Sequence, residues 1–159
     1  MVARSSFKLP GFTTYVDRIK NKLSEEAARE ITNDLKEIGP YWSGDFEEAW
    51  VVKKGNVRIN ATRKPSRDRP IAPRTRKVTP IENFPKQTGR SSNSYTIGNE
   101  MVYRNIALDL EPGRIKDGGN ETAPQDWYRT YAEGGNLRLT LQQTTAKVAK
   151  DPSIRGFKK

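Results

Sequence analysis

Neither cysteine nor histidine occurs anywhere in the chain. Without thiols there is no disulfide, no zinc–thiolate or iron–sulfur ligation and no thiol nucleophile. Without imidazole the commonest general base and the commonest transition-metal ligand are missing, which leaves carboxylate, Lys, Tyr or Ser chemistry to any enzyme built on this sequence. Long apolar runs are missing too. None approaches the roughly 20 residues of a spanning helix, and the N-terminal MVARSSFKLPGF has no signal-peptide apolar block. These absences lead us to expect no catalytic residues, no cofactor, no metal, no membrane association, and a soluble protein made in a cytoplasm.

Apolar residues are scarce in general, at 33% with a mean hydropathy of -0.87, so part of the chain stays outside any core. The 159 residues fit one domain over 1–159 with a single modest core. What the chain has in excess is positive charge. Its 29 Lys and Arg against 19 Asp and Glu give a net +10, which favours contact with nucleic acid or an acidic protein surface.

Residues 1–12 mix Ser, Lys, Arg, Pro10 and Gly11 in the manner of an extended N-terminal arm. From a cap at Thr13 or Thr14, the residues Val16, Ile19, Leu23, Ala27, Ile31, Leu35 and Ile38 recur at helical spacing, and Gly39-Pro40 ends the helix. Residues 41–50 predict a turn and one short helical turn, capped by Ser43 or Asp45, with Glu47 and Glu48 at its positive end. Val51-Val52, the turn 53–56 and Val57–Asn60 predict a β-hairpin.

Residues 62–98 carry Pro65, Pro70, Pro73, Pro80 and Pro85 and predict a long extended loop. Arg63, Lys64, Arg67, Arg69, Arg74, Arg76, Lys77, Lys86 and Arg90 face only Asp68 and Glu82 there, a net +7. Three readings stay open: a loop that contacts other subunits, a loop facing a nucleic-acid path, or a solvated insertion. Met101 to Leu110 then predict a strand with its even-numbered face buried, Arg104 being the exception. A short helix around 124–132 stopped by Gly134-Gly135, a final helix over about 136–150 and a basic tail over 151–159 complete the chain.

Two carboxylate groups, Asp45/Glu47/Glu48 and Glu121/Asp126/Glu133, lack any catalytic or metal-binding spacing. Gly113 and Gly118-Gly119 are followed by no Gly-Lys-Ser/Thr and read as turns, not as a phosphate loop. The aromatics Tyr41, Trp42, Phe46, Trp50, Trp127, Tyr128 and Tyr131 fall in two short segments, where core packing and a subunit interface both compete for them. The sum is an α+β fold, in which a long N-terminal helix and a C-terminal helix pack on a small, mainly antiparallel sheet, with a long basic loop and extended terminal arms.

Two motifs carry a family resemblance. Ile38-Gly39-Pro40-Tyr41-Trp42-Ser43-Gly44-Asp45-Phe46 with Ala49-Trp50 is similar to the helix end, linker and Thr/Ser-Gly pair of the small tail-component and neck proteins of long-tailed bacteriophages. Tyr128-Arg129-Thr130-Tyr131-Ala132-Glu133-Gly134-Gly135 resembles the second motif of that family, which includes tail-completion (head–tail joining) proteins. The long basic segment, the insertion before Tyr128 and Gly135 depart from its pattern. The resemblance implies a non-catalytic virion subunit of the neck, present as a homo-oligomeric ring that joins the DNA-filled head to the tail. Its partners would be further copies of itself, a portal-side connector or adaptor, the tail terminator or tail tube proteins, and packaged DNA without sequence preference. A tail terminator ring and a non-sequence-specific nucleic-acid-binding module are the alternatives. Candidate subunit-interface or DNA-facing residues are Arg63, Lys64, Arg67, Arg69, Arg74, Arg76 and Lys77, and candidate motif residues are Trp42, Phe46, Trp50, Tyr128, Tyr131 and Glu133.

Overall fold

A computed structural model describes residues 11–40, 44–66, 81, 84–85, 94–108 and 126–154. The expectations made for the N-terminal arm before Gly11, for Tyr41–Ser43, for most of the basic segment, for 109–125 and for the last five residues lie outside the described residues. The fold is α+β: helix α1 (Phe12–Ile38), α2 (Asp45–Glu48), strand β1 (Trp50–Lys54), β2 (Tyr95–Asn99), α3 (Arg104–Ala107), α4 (Trp127–Glu133) and α5 (Asn136–Ala149).

Helix α1 organises the rest, contacting α5 along its length and both strands as well. Ala28, Thr32 and Leu35 form its most buried stripe, at the three- and four-residue spacing of one helix face. Thr32 can sit fully buried because its hydroxyl donates to the Ala28 carbonyl of its own helix at 2.6 Å. The helix begins at Gly11 in the left-handed region (φ 79) and not at a capping threonine. It ends at Gly39, whose N–H donates to the Leu35 carbonyl. A side chain at Gly39 would meet that carbonyl at 2.6 Å and the Trp127 ring at 3.2 Å, so glycine there lets the helix end approach α4 closely.

The hairpin expected within 51–60 does not form. β1 pairs antiparallel with β2, with Trp50 opposite Asn99, Val52 opposite Ile97 and Lys54 opposite Tyr95. Local proximity loses to burial: Ile97 packs against the core and Asn99 is buried, positions that Val57–Asn60 would leave empty. After the turn at Gly55, residues 57–63 instead cross the sheet, where Val57 N–H donates to the Thr96 hydroxyl and Ile59 lies directly over Gly98.

The strand expected over Met101–Leu110 is also replaced. Met101 makes a single parallel bridge to Arg63 and is fully buried, whereas Val102 is 50% exposed, so the buried parity is odd there, not even. The Asn99 side chain accepts the Met101 N–H at 2.9 Å and bends the chain out of the ladder, and one helical turn follows as α3. Arg104, the exception on the expected buried face, donates through Nη1 to the Ile59 and Asn99 carbonyls at 2.8 and 2.9 Å. That guanidinium ties the crossing segment to the end of β2.

The core gathers Leu35 of α1, Phe46 of α2, Ala49, Trp50 of β1, Met101, and Trp127 and Tyr131 of α4. Helix α5 occupies the expected span, but its Leu139 and Leu141 are exposed while Thr144 and Val148 are buried. The basic tail does not start as a free arm, since Asp151 pairs with Lys22 at 2.6 Å and Ile154 is buried.

Candidate interaction site

The entrance of the basic segment lies against α2. Arg63 is held from every side: its N–H donates to the Glu100 carbonyl, its carbonyl accepts from Val102, and its guanidinium donates to the Glu48 carbonyl (3.0 Å) and carboxylate (3.1 Å). Its guanidinium is thereby fastened to α2, with 37% of the side chain still exposed. Three residues on, the Ser66 N–H donates to Asp45 Oδ2 at 3.0 Å, and Asp45 is 2% exposed. Lys64 lies between these anchors, is exposed, and makes no ion pair among the described residues. Arg67, Arg69, Arg74, Arg76 and Lys77 lie outside the described residues, as does Trp42.

A second anchor holds the far part of the segment. Phe84 is buried against Tyr95, with ring centroids 5.4 Å apart, and the Arg29 guanidinium of α1 stands 4.6 Å from the Phe84 ring centre. The Tyr95 hydroxyl donates to the Pro85 carbonyl at 2.9 Å. The basic stretch between Ser66 and Phe84 is thus pinned at both ends to one body.

Among the described candidate aromatics, Phe46, Trp50 and Tyr131 are buried in the core, as is Trp127. Phe46 contacts Trp50 edge-on (5.8 Å), stacks on Tyr103 (6.2 Å) and meets Trp127 edge-on (6.4 Å). The Trp127 indole N–H donates to the Ala107 carbonyl at 2.8 Å. Burial is the main reason the Tyr103 phenol is held above its ordinary pKa; nearby Asp45 adds to this and Arg63 opposes it. Tyr128 is half-buried against Trp127, and Glu133 is 70% exposed, paired with Arg129 one helical turn away. Of the second motif, Tyr131 is buried and Tyr128 half-buried, while Glu133 and the other residues are exposed.

Sequence reasoning missed the polar seam between α1 and α5. Asp34 Oδ2 accepts hydroxyl hydrogen bonds from Tyr131 (2.8 Å) and Thr140 (2.6 Å), and Lys147 reaches Glu26 (3.2 Å) and Glu30 (2.7 Å). A groove of about 240 Å³ follows, lined by Glu30, Asp34, Thr140, Gln143, Thr144 and Lys147. Burial first, then the neighbouring Asp34, pushes the Tyr131 phenol well above its ordinary range, with Thr140 opposing. The signal was present: Asp34 adjoins Leu35 in the apolar register of α1, and Thr140, Thr144 and Lys147 recur at helical spacing on α5.

Among the described residues no three His, Cys, Asp or Glu side chains converge on a metal-sized site, and no helix is long and apolar enough to cross a membrane. No protein-family model, curated protein or solved structure matches the chain.

Proposed function

We propose that this chain is a structural subunit of the neck of a tailed bacteriophage, acting as a homo-oligomeric ring that joins the DNA-filled head to the tail. One observation carries the reading: the two motifs of the resemblance, about 80 residues apart in sequence, meet in a single core where Phe46 and Trp50 pack with Trp127 and Tyr131. A charged segment with net +7 is anchored at the rim of that core by Arg63–Glu48, Ser66–Asp45 and Phe84–Tyr95. Such anchoring supports a segment presented to neighbouring subunits or to DNA phosphates, because ordering it on contact costs less entropy than ordering a free loop. The surroundings of DNA in this role need no base readout, and charge alone suffices.

The test is the mass and image symmetry of the purified chain, alone and mixed with the portal-side and tail-side proteins of its phage. Rings, or incorporation at the neck, are expected. A persistent monomer that joins neither partner and binds DNA with a steep salt dependence would replace this reading with that of a nucleic-acid-binding module.

A further inference from the structure

The groove along the closed seam of α1 and α5 holds more acceptors than donors. Its one cationic donor is already committed, since the Lys147 ammonium stands 2.7 Å from Glu30 Oε1 and 3.2 Å from Glu26 Oε2. The Thr140 hydroxyl is committed as well, donating to Asp34 Oδ2 at 2.6 Å. The remaining oxygens are not. Asp34 Oδ1 and Glu30 Oε2 accept none of the hydrogen bonds formed by the described residues, because Asp34 uses Oδ2 for both of its bonds and Glu30 uses Oε1. Carboxylates also outnumber cations here, with Glu26, Glu30 and Asp34 against Lys147, in a chain whose net charge is +10.

Thr144 adds an independent observation. It lines the groove, is 2% exposed, and its hydroxyl has no hydrogen-bond partner among the described residues. A helical threonine ordinarily satisfies its hydroxyl on the carbonyl four residues back, as Thr140 does on Asn136 and Thr145 on Leu141 in this same helix. Thr144 makes no such bond to the Thr140 carbonyl. A buried hydroxyl left unpaired costs stability, so an unmet polar group stands one helical turn from the Thr140–Asp34 contact.

We infer that this groove binds a guanidinium group, the arginine side chain of a neighbouring polypeptide, between Asp34 Oδ1 and the Thr144 hydroxyl. The open oxygens call for a ligand that brings donors and no acceptor, and the excess of carboxylates calls for a positive one. A guanidinium is both, with five N–H donors in a planar fork and no lone pair to satisfy. Its charge is spread and weakly hydrated, so it enters beside Lys147 at less cost than a second ammonium would. No three His, Cys, Asp or Glu side chains converge here among the described residues, which sets the groove apart from a metal site. A side chain carried by a polypeptide fits better than free arginine, whose own carboxylate would face Glu26, Glu30 and Asp34. This site goes beyond the neck reading and does not depend on it.

Titration of the full, nitrogen-15-labelled chain with N-acetyl-arginine N-methylamide tests it, at constant ionic strength and followed by amide chemical shifts. Saturable shifts centred on Asp34, Thr140 and Thr144 are expected. Thr144→Val should weaken binding about tenfold while the denaturation midpoint holds or rises, because the unpaired hydroxyl is gone. Thr144→Ser keeps the hydroxyl and should bind as the unsubstituted chain does. Asp34→Asn keeps an oxygen for Tyr131 and Thr140 and should also bind about tenfold more weakly, which decides the matter should Thr144→Val misfold. Shifts that never saturate, or binding that Thr144→Val and Asp34→Asn leave unchanged, overturn the site. The matching lysine derivative binding equally well overturns the guanidinium assignment, and free arginine binding more tightly than the blocked derivative overturns the polypeptide source.

Discussion

Arg63 donates from one guanidinium to both the main-chain carbonyl and the carboxylate of Glu48, at 3.0 and 3.1 Å, which closes the short helix α2 against the entrance of the basic segment. Of the described charges in that segment, the one that looks like a ligand for a partner is therefore a fastening of the fold, and the freely exposed one is its neighbour Lys64. Replacing Arg63 by Ala removes a charge-assisted bond and a main-chain bond, and a loss of about 2 kcal/mol is expected. Lys64→Ala should stay within about 0.5 kcal/mol. Urea denaturation of the pair checks this, and an Arg63→Ala protein as stable as Lys64→Ala would show that the contact is not a fastening.

Ile59 and Gly98 form a second dependency. A Cβ at position 98 would stand 2.9 Å from Ile59 Cδ1, 3.2 Å from its Cβ and 3.3 Å from its Cγ2, so more than the flexible tip has to move. Gly98→Ala is expected to cost about 1–2 kcal/mol through overpacking. Ile59→Val alone should cost about 1 kcal/mol, yet it removes the closest of these atoms. The double variant is expected to be more stable than the sum by about 0.5–1 kcal/mol, and strict additivity in a double-mutant cycle would disprove the contact.

Alkaline sensitivity should centre on Tyr131. Its phenol is raised by burial and by Asp34, so the folded state holds a proton that the unfolded chain releases near its ordinary pKa of about 10. Stability from this group is fully present below that value and declines as pH rises beyond it toward the folded value. Lys147 and Lys22 are raised by their carboxylate partners and act in the same direction. Asp151 is lowered chiefly by Lys22, so its contribution is present above about pH 4 and falls away as the pH drops through its folded value. Circular dichroism midpoints across pH are expected to show a loss above about pH 10 that Tyr131→Phe makes shallower. An unchanged alkaline limb in that variant would remove Tyr131 from the account.

How far the sequence reaches is visible in particular residues. The long helix to Ile38, the stop at Gly39 and the final helix from Asn136 are legible because apolar spacing and glycine act locally. The partner of Trp50–Lys54 is not legible. Pairing with Tyr95–Asn99 is chosen by burial of Ile97 and Asn99 some 40 residues away, and no local pattern encodes it. Met101 to Ala107 misleads for the same reason, since the bend is made by the Asn99 side chain and the Arg104 guanidinium, which look like surface residues in a one-dimensional reading. At the candidate site, the aromatics were legible as packing residues, whereas the Asp34 seam needed two helices to be brought together before its polar positions acquired meaning.

The two ends of helix α4, Trp127 and Glu133, separate folding from assembly. Trp127 is 5% exposed, packs edge-on against Phe46 and donates to the Ala107 carbonyl, so Trp127→Ala leaves a large cavity and an unpaired carbonyl. A loss of about 3–5 kcal/mol is expected, large enough to threaten the whole fold. Glu133 is 70% exposed and its one described contact is an exposed pair with Arg129. Reversal by Glu133→Lys should leave the denaturation midpoint in place because such pairs are screened by water. If this end of α4 meets the arginines of a neighbouring subunit, the same reversal weakens association several-fold while the monomer stays folded. Sedimentation velocity beside thermal melting measures both effects on one sample. A Glu133→Lys protein that assembles as well as the unsubstituted chain would take this helix end out of the interface and leave Lys64 and the anchored basic segment as the surface to pursue.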